Sequence, residues 1–595
     1  MNMFFLDNDQ LNEEQLDAIQ DERNIYLVAA PGSGKTRALT YKIAKELTEL
    51  DELKKWIVAI TYTNRAAEEI KERIELLGVD TKRLWIGTIH AFCIEWILKP
   101  YSVFHENLKN GYSIINSYDS EEIITELCKS VSHPSVTYYD CNHHFTSTTL
   151  KFTSCIPARR DNVGAVINLY YQKLIFENKV DFELILLYSY QLINSLPLIS
   201  TNLSRLFKHV LIDEFQDTRE IQYSIFSNIL KAGYGNVKGF IVGDPNQAIY
   251  GSLGGYAISI QELQNMSGLP FIEKQLNKNY RSSQRIIDHF SNYKVYPSTI
   301  NAEGEFAAYQ STITYNNSIH KDNLAEHLAS LIRSSIEHAN VDENEICIIA
   351  PWWIHLASMT RKLTALLPEY DFNGPGMTPF ARDEDNFWYK VTKLVLTEPS
   401  PSMYTRRLRW ASDIINHLES ESVDVSGVTP KKLLRVFNSI ECSEENGLTF
   451  LEIFFNQLID VLEIDLNIFC SISEHRCSFF ESANKRVDQI IRENDGYAGS
   501  IEDFKKVFKN KKGITVSTIH GVKGAEFDVV IAYGLLEGIV PHFNESDSNS
   551  AHKLLYVIGS RARKHLHLIS EQGRGNQRYP KYSTTILAQH VFQYN

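Results

Sequence analysis

Short apolar runs alternate with helical apolar spacing along most of the chain. NIYLVA, Asn24 to Ala29, is a continuous apolar run and predicts a buried strand. The KTRALTYKIAKELTEL that soon follows puts Leu39, Ile43 and Leu47 on one helical face. WIVAI before Thr61, Val210 to Ile212, EICIIA (Glu345 to Ala350), GITVS, DVVIAYG and HLHLIS (His565 to Ser570) predict further strands. PKKLLRVFNSI and FLEIFFNQLIDVLEI carry helical spacing. The longest apolar stretch, Val529 to Pro541, contains Glu537 and two glycines and reads as a strand and a loop. It falls short of the ~18 residues a membrane span needs, so no membrane association is expected.

The chain has 595 residues, which at roughly 100–200 per domain predicts several units. Its 43% apolar and 22% charged residues are those of an ordinary globular protein. The eight cysteines have no paired spacing and the N-terminal MNMFFLDNDQ has no basic segment, so a reducing, cytoplasmic setting is expected. The cluster His133, Cys141, His143, His144 and Cys155 holds metal-ligand residue types at a spacing that matches no usual zinc pattern. A net charge of −13 excludes a generic nucleic-acid binder. DNA contact would need local patches, such as KKVFKNKK (Lys505, Lys506, Lys509, Lys511, Lys512) or RARK (Arg561, Arg563, Lys564).

The strand–helix pair at Asn24 encloses AAPGSGKT, a phosphate-binding loop. Ala30, Pro31, Gly32, Ser33, Gly34, Lys35, Thr36 and Arg37 form the candidate nucleotide-binding set. Gly32 and Gly34 let backbone N–H groups approach phosphates, Lys35 reaches the outer phosphates, and Thr36 is placed to ligate Mg²⁺. HVLIDEFQDT puts Asp213 and Glu214 at a strand end, Asp213 to hold Mg²⁺ and Glu214 to deprotonate the attacking water. The long separation of Lys35 from Asp213 predicts an inserted helical subdomain.

Further blocks follow in order: AITYTNRAAEEI, GTIHAF, VGDPNQAIY, LNKNYRSS, VSTIHGVKGAEF and LLYVIGSRARK. With the two ATP motifs, this order resembles the UvrD/Rep/PcrA family of superfamily 1 DNA helicases. The resemblance implies an α/β fold with two RecA-like motor domains, each with a mainly helical insertion. It places them at 1–98 with 199–270, and at 271–397 with 496–595, the insertions being 99–198 and 398–495. It implies ATP hydrolysis coupled to 3′ to 5′ movement on single-stranded and tailed double-stranded DNA. Gln15 would read the adenine edge, Tyr280 stack on the base, Glu526 hold the ribose and Gln247 sense the γ-phosphate. Arg281 and Arg561 would be arginine fingers supplied by the second motor domain. Thr63, Asn64, Thr88, His90, Thr518 and His520 would bind DNA phosphates, and Tyr62, Phe92 and Tyr250 would stack on bases.

The chain departs from that pattern in several places, Ser560 standing where a threonine is usual among them. GSLGGY puts Ser252 and Leu253 where an aromatic and an arginine are usual, Ser550 and Ala551 replace paired glutamates, and the second insertion is about half the usual size. The compact build also resembles helicase-like subunits of bacterial anti-phage systems of the Gabija type. That likeness implies an alternative: a nucleotide-gated DNA sensor controlling a partner nuclease subunit.

Overall fold

A computed structural model describes residues 11–52, 54–153, 156–375, 379–383, 386–493, 499–508, 513–543, 545, 547–576 and 579–595. The chain divides into two compact units, one of Met1–His320 with Ile519–Asn595 and one of Lys321–Thr518. Among the described residues, no single helix is long and apolar enough to cross a membrane.

The first unit is built on six parallel strands, β1 (Ile25–Ala29), β2 (Trp56–Thr61), β3 (Leu84–Thr88), β4 (Phe207–Asp213), β5 (Lys238–Gly243) and β6 (Ile272–Leu276). They lie in the order β6-β1-β5-β4-β2-β3. The central strands are apolar because helices cover both faces of a parallel sheet. β6 reads IEKQL, too polar for an apolar-run signal, and is the edge strand beside β1. In the register, Val28 pairs with Gly243 and Asp213 with Val242, which brings the carboxyl ends of β1, β5 and β4 together. Crevices at such ends are where open α/β sheets bind ligands.

On one side of this sheet, Lys42 of the helix Lys35–Thr48 is buried, donating to the carbonyls of Ile19 and Asp21 and pairing with Glu46 at 2.8 Å. Glu46 in turn meets His209 of β4 at 2.8 Å. The helix behind the phosphate loop is thereby tied to the strand that ends in Asp213.

The connection from β3 to β4 is mainly helical, as expected, with long helices at Ser117–Lys129, Arg160–Phe176, Phe182–Ser195 and Pro197–Leu206. It also holds a small hairpin, His143–Phe145 with Leu150–Phe152. It is not a separately cored body: one apolar cluster runs from Val163, Ile167 and Leu184 to Val58, Val210 and Phe215. The first unit also contains the parallel strands Ile313–Asn316, Phe527–Ala532 and Ala562–Ile569, the last pairing with both others.

The second unit pairs Ile346–Ala350 and Phe372–Asn373 in parallel with Ile514–Thr518. Its helices include Pro430–Ser439 and Gly447–Leu462, where helical spacing predicts them. They share a core around Trp388, Phe454, Phe455 and Phe504.

Among the described residues, no group of three or more His, Cys, Asp or Glu is placed to hold a metal ion. His143 instead bonds the Cys141 carbonyl and the Tyr171 hydroxyl, and Cys155 lies outside the described residues. Lys509, Lys511 and Lys512, and the side chain of Lys506, lie outside them as well. Lys505 pairs with Glu502.

Candidate active site

The phosphate loop leaves β1 at Ala29 and turns through Gly32 (φ +69°) and Gly34 (φ +79°). These glycines are required twice over, by the left-handed backbone and by space. A Cβ on Gly32 would lie 2.7 Å from the Arg281 Cβ, and one on Gly34 would lie 2.5 Å from Gln15 Nε2. The helix Lys35–Thr48 begins at Gly34 with no side-chain cap, so its first N–H groups can receive an anion.

Other segments hold the loop from outside. Gln15 Nε2 donates to the Ser33 carbonyl at 2.9 Å, Asn279 Nδ2 to the Pro31 carbonyl at 2.6 Å, and the Tyr280 N–H to the Gly32 carbonyl at 2.9 Å. Gln15 Oε1 accepts from the Asn12 N–H in a capping box, so in this state Gln15 is turned onto the loop and the helix start. Asn12 Nδ2 also donates to the Tyr280 hydroxyl at 2.8 Å, tying the two expected adenine contacts together.

Lys35 Nζ meets Glu214 Oε1 at 2.5 Å. Burial works against the Lys35 ammonium, but Glu214 and Asp213 outweigh it and its pKa is raised. Burial alone would lift the Glu214 carboxyl; Lys35 and Lys523 overcome it and hold the group low. Burial and the neighbouring Glu214 push Asp213 upward, only partly offset by Lys35. A buried carboxylate short of positive charge suits a divalent cation, and Thr36 opens the helix beside Lys35. Glu214 holds a left-handed backbone (φ +53°), unusual for a residue with a side chain, and Gln216 Nε2 donates to its Oε2 at 2.5 Å.

Arg561 is buried and forks onto Gln247 Oε1 (2.8 Å), Ala525 O (3.3 Å) and Val557 O (3.2 Å). Gln247 Nε2 donates to Asp244 Oδ2 at 2.8 Å, and the Tyr556 hydroxyl reaches the same oxygen at 3.3 Å. Burial and the nearby Arg281 disfavour the Arg561 charge, so an incoming anion would relieve it. Arg281 pairs with Glu526 at 2.5 Å and donates to Ser560 O at 2.9 Å. Glu526, expected on the ribose, is therefore engaged by Arg281 in this state. The phosphate loop, Asp213, Glu214, Gln247, Arg281 and Arg561 all fall in one compact unit, although the sequence division at 270 separates them. Arg37 is exposed at the rim.

Next to this pocket lies a face of aromatic and polar groups. The Tyr62 and Tyr250 rings are 5.0 Å apart, and Tyr250 and His520 are 5.2 Å apart. His520 Nε2 contacts the Ile249 carbonyl at 3.1 Å. Thr63 and Thr88 cap the helices Asn64–Leu76 and Ile89–Phe92, and Asn64 is exposed. Thr518 ends a strand of the second unit.

Two expectations are corrected. Phe92 is 1% exposed, packed in the core against Trp85 and Phe207, and cannot stack on a base. His90 lies edge-on against Phe182 at 5.1 Å with Nε2 buried and unpartnered, so it does not present itself to a backbone phosphate. RARK is no free patch either, since Arg563 and Lys564 both pair with Asp528.

Residues 11–268 match the profile of the UvrD/REP helicase N-terminal domain, and residues 469–573 that of the UvrD-like helicase C-terminal domain. The chain belongs to the UvrD/REP helicase family. It is similar to the ATP-dependent DNA helicase PcrA of Leuconostoc citreum, 24% identical over 647 residues covering 95% of this chain and 82% of that one. The PcrA of Bacillus subtilis (strain 168) is likewise 24% identical, over 95% of this chain and 83% of its own. DNA helicase II of Salmonella typhimurium is 31% identical over 290 residues, 47% of this chain and 39% of that one.

Within this UvrD/REP frame, several residues emerge only from the structure. Lys523 Nζ contacts Asp217 at 2.5 and 2.8 Å and the Gln247 carbonyl at 2.8 Å, and lies 5.1 Å over the Tyr250 ring. Asn279, Asp244 and Tyr556 hold the loop and Gln247. All sit inside the motif blocks, but Lys523, Asn279 and Tyr556 act on partners hundreds of residues away in the chain.

Proposed function

We propose that the chain couples ATP hydrolysis to 3′ to 5′ movement along single-stranded DNA, as an ATP-dependent DNA translocase and helicase. The observation that carries this reading is the bridge through Gln247 and Lys523. Arg561 grips the Gln247 side chain, and Lys523 grips its backbone beneath Tyr250. A change at the outer phosphate is thus one residue away from the aromatic face.

In this reading the phosphate loop, Lys35 and the free helix N–H groups bind the triphosphate, with Gln15 and Tyr280 at the adenine and Glu526 at the ribose. Phosphates entering beside Lys35 displace Glu214, which is then free to orient a water and accept its proton. Arg281 and Arg561 stabilise charge on the transferring phosphoryl group. Thr36 and Asp213 would hold Mg²⁺, which supplies charge neutralisation on the phosphates when bound. Tyr62 and Tyr250 stack on bases, worth ~1–3 kcal/mol each without sequence preference. Thr63, Asn64, Thr88 and His520 contact the DNA backbone. The six segments divided at 98, 198, 270, 397 and 495 make up the two proposed motor domains and their two insertions, in a cytoplasmic setting.

Duplexes with a 3′ or a 5′ single-stranded tail test the direction. Unwinding is expected only from the 3′ tail and only with ATP. Unwinding from the 5′ tail alone contradicts the reading. ATP hydrolysis that leaves both duplexes intact would instead favour a nucleotide-gated sensor serving a partner such as a nuclease, the role that GSLGG and the short insertion would suit.

A further inference from the structure

We propose that Arg219 is a phosphate-binding residue of the single-stranded DNA track, held in reserve by Glu183 of the first insertion until DNA displaces the carboxylate. This rests on the DNA reading above and adds a residue and a switch to it. Arg219 immediately precedes the helix Glu220–Ala232, two positions beyond Asp217. Its Nη1 meets Glu183 Oε1 at 2.5 Å, with the two side chains 22% and 16% exposed.

The pair is ringed by the candidate DNA face. Arg219 forms an antiparallel bridge with Gly255, at the end of the loop that leaves Tyr250. The hairpin of the first insertion closes the far side. A Cβ on Gly254 would lie 2.9 Å from the His144 ring, and Phe145 N–H donates to Glu183 Oε2 at 3.3 Å. Ser147 binds Glu220 through its N–H (2.6 Å) and hydroxyl (2.7 Å). Burial lifts the Tyr62 phenol, and Arg219 is close enough to pull against that rise.

The loop Gly251–Gly255 carries no charge of its own, and Lys523 beside Tyr250 is held by Asp217, so Arg219 is a second cation for a strand stacked on Tyr62 and Tyr250. The pair is largely buried, so the guanidinium needs an anion at all times, and a phosphate that takes the carboxylate's place supplies one. The planar guanidinium fits carboxylate and phosphate oxygens alike.

Binding of the full-length chain to fluorescent oligothymidine across a salt series tests this. R219Q is expected to bind about five-fold more weakly near ~0.1 M salt, with the slope of log K against log salt shallower by about 0.7. R219K should keep the slope, since it keeps the charge. E183Q, which frees the cation, should bind about two- to five-fold more tightly. A structural tether predicts the opposite for E183Q, so weaker or unchanged binding there overturns the proposal, as does an unchanged slope in R219Q. If the unmutated chain itself fails to bind oligothymidine, the DNA reading falls; if it binds and only these variants disagree, Arg219 alone is misassigned.

Discussion

Replacing Glu214 by glutamine is expected to slow ATP turnover by about 10²–10⁴-fold, the range for removing a positioned general base. The substitution is nearly isosteric, so the left-handed backbone at Glu214 and the contact with Gln216 can persist. Lys35 then loses the carboxylate that meets it at 2.5 Å. With that competitor gone, the phosphates should bind Lys35 at least as well as before, so kcat falls while KM for ATP stays level or drops. Steady-state kinetics with an equilibrium measurement of ATP binding check both halves. Turnover at the unmutated rate would move proton acceptance away from Glu214.

Arg561→Ala carries the second large effect, a loss of roughly 10³–10⁵ in turnover, as for arginine fingers elsewhere. Arg561→Lys should recover little of it. The lysine keeps a charge but lacks the planar fork that spans Gln247, Ala525 and Val557. Because Arg561 is buried, truncation also takes the donor from Gln247 Oε1, at about 1–3 kcal/mol if it stays dry, while Val557 O keeps the Ser560 hydroxyl. Thermal unfolding of the alanine and lysine variants separates the two contributions. A transition-state role predicts that kcat collapses in both while ATP affinity changes little. Parallel losses of Tm and ATP binding, with kcat intact in the folded fraction, would make Arg561 a structural residue only.

Much of the phosphate site was legible before the structure because its chemistry is local. Loop, lysine and threonine are adjacent in sequence, as are Asp213 and Glu214. The motif order also found Arg281, Arg561 and Gln247, which the fold gathers from distant blocks around the loop. What the sequence could not supply is direction. GTIHAF offers two candidate ligands, yet the fold turns Phe92 into the core and packs His90 on Phe182. An aromatic that serves a core and one that serves a base share one periodicity. Gln15 and Glu526 show the same limit: here both are engaged within the protein, on Ser33 and on Arg281. Asn12, Lys523 and Arg219 carry no signal in the sequence because their roles depend on partners in other blocks of the chain. The edge strand Ile272–Leu276 gives no apolar-run signal for a simpler reason, its exposed alternate positions being polar.

The account stands on one pocket that hydrolyses ATP and is wired through Gln247 and Lys523 to a face for single-stranded DNA. The most direct measurement is the steady-state ATPase of the full-length chain with and without saturating oligothymidine. The account predicts a clear rise in kcat on adding DNA, lost in Lys35→Ala. Equal rates with and without DNA, in a chain that hydrolyses ATP and binds the oligonucleotide, would contradict it.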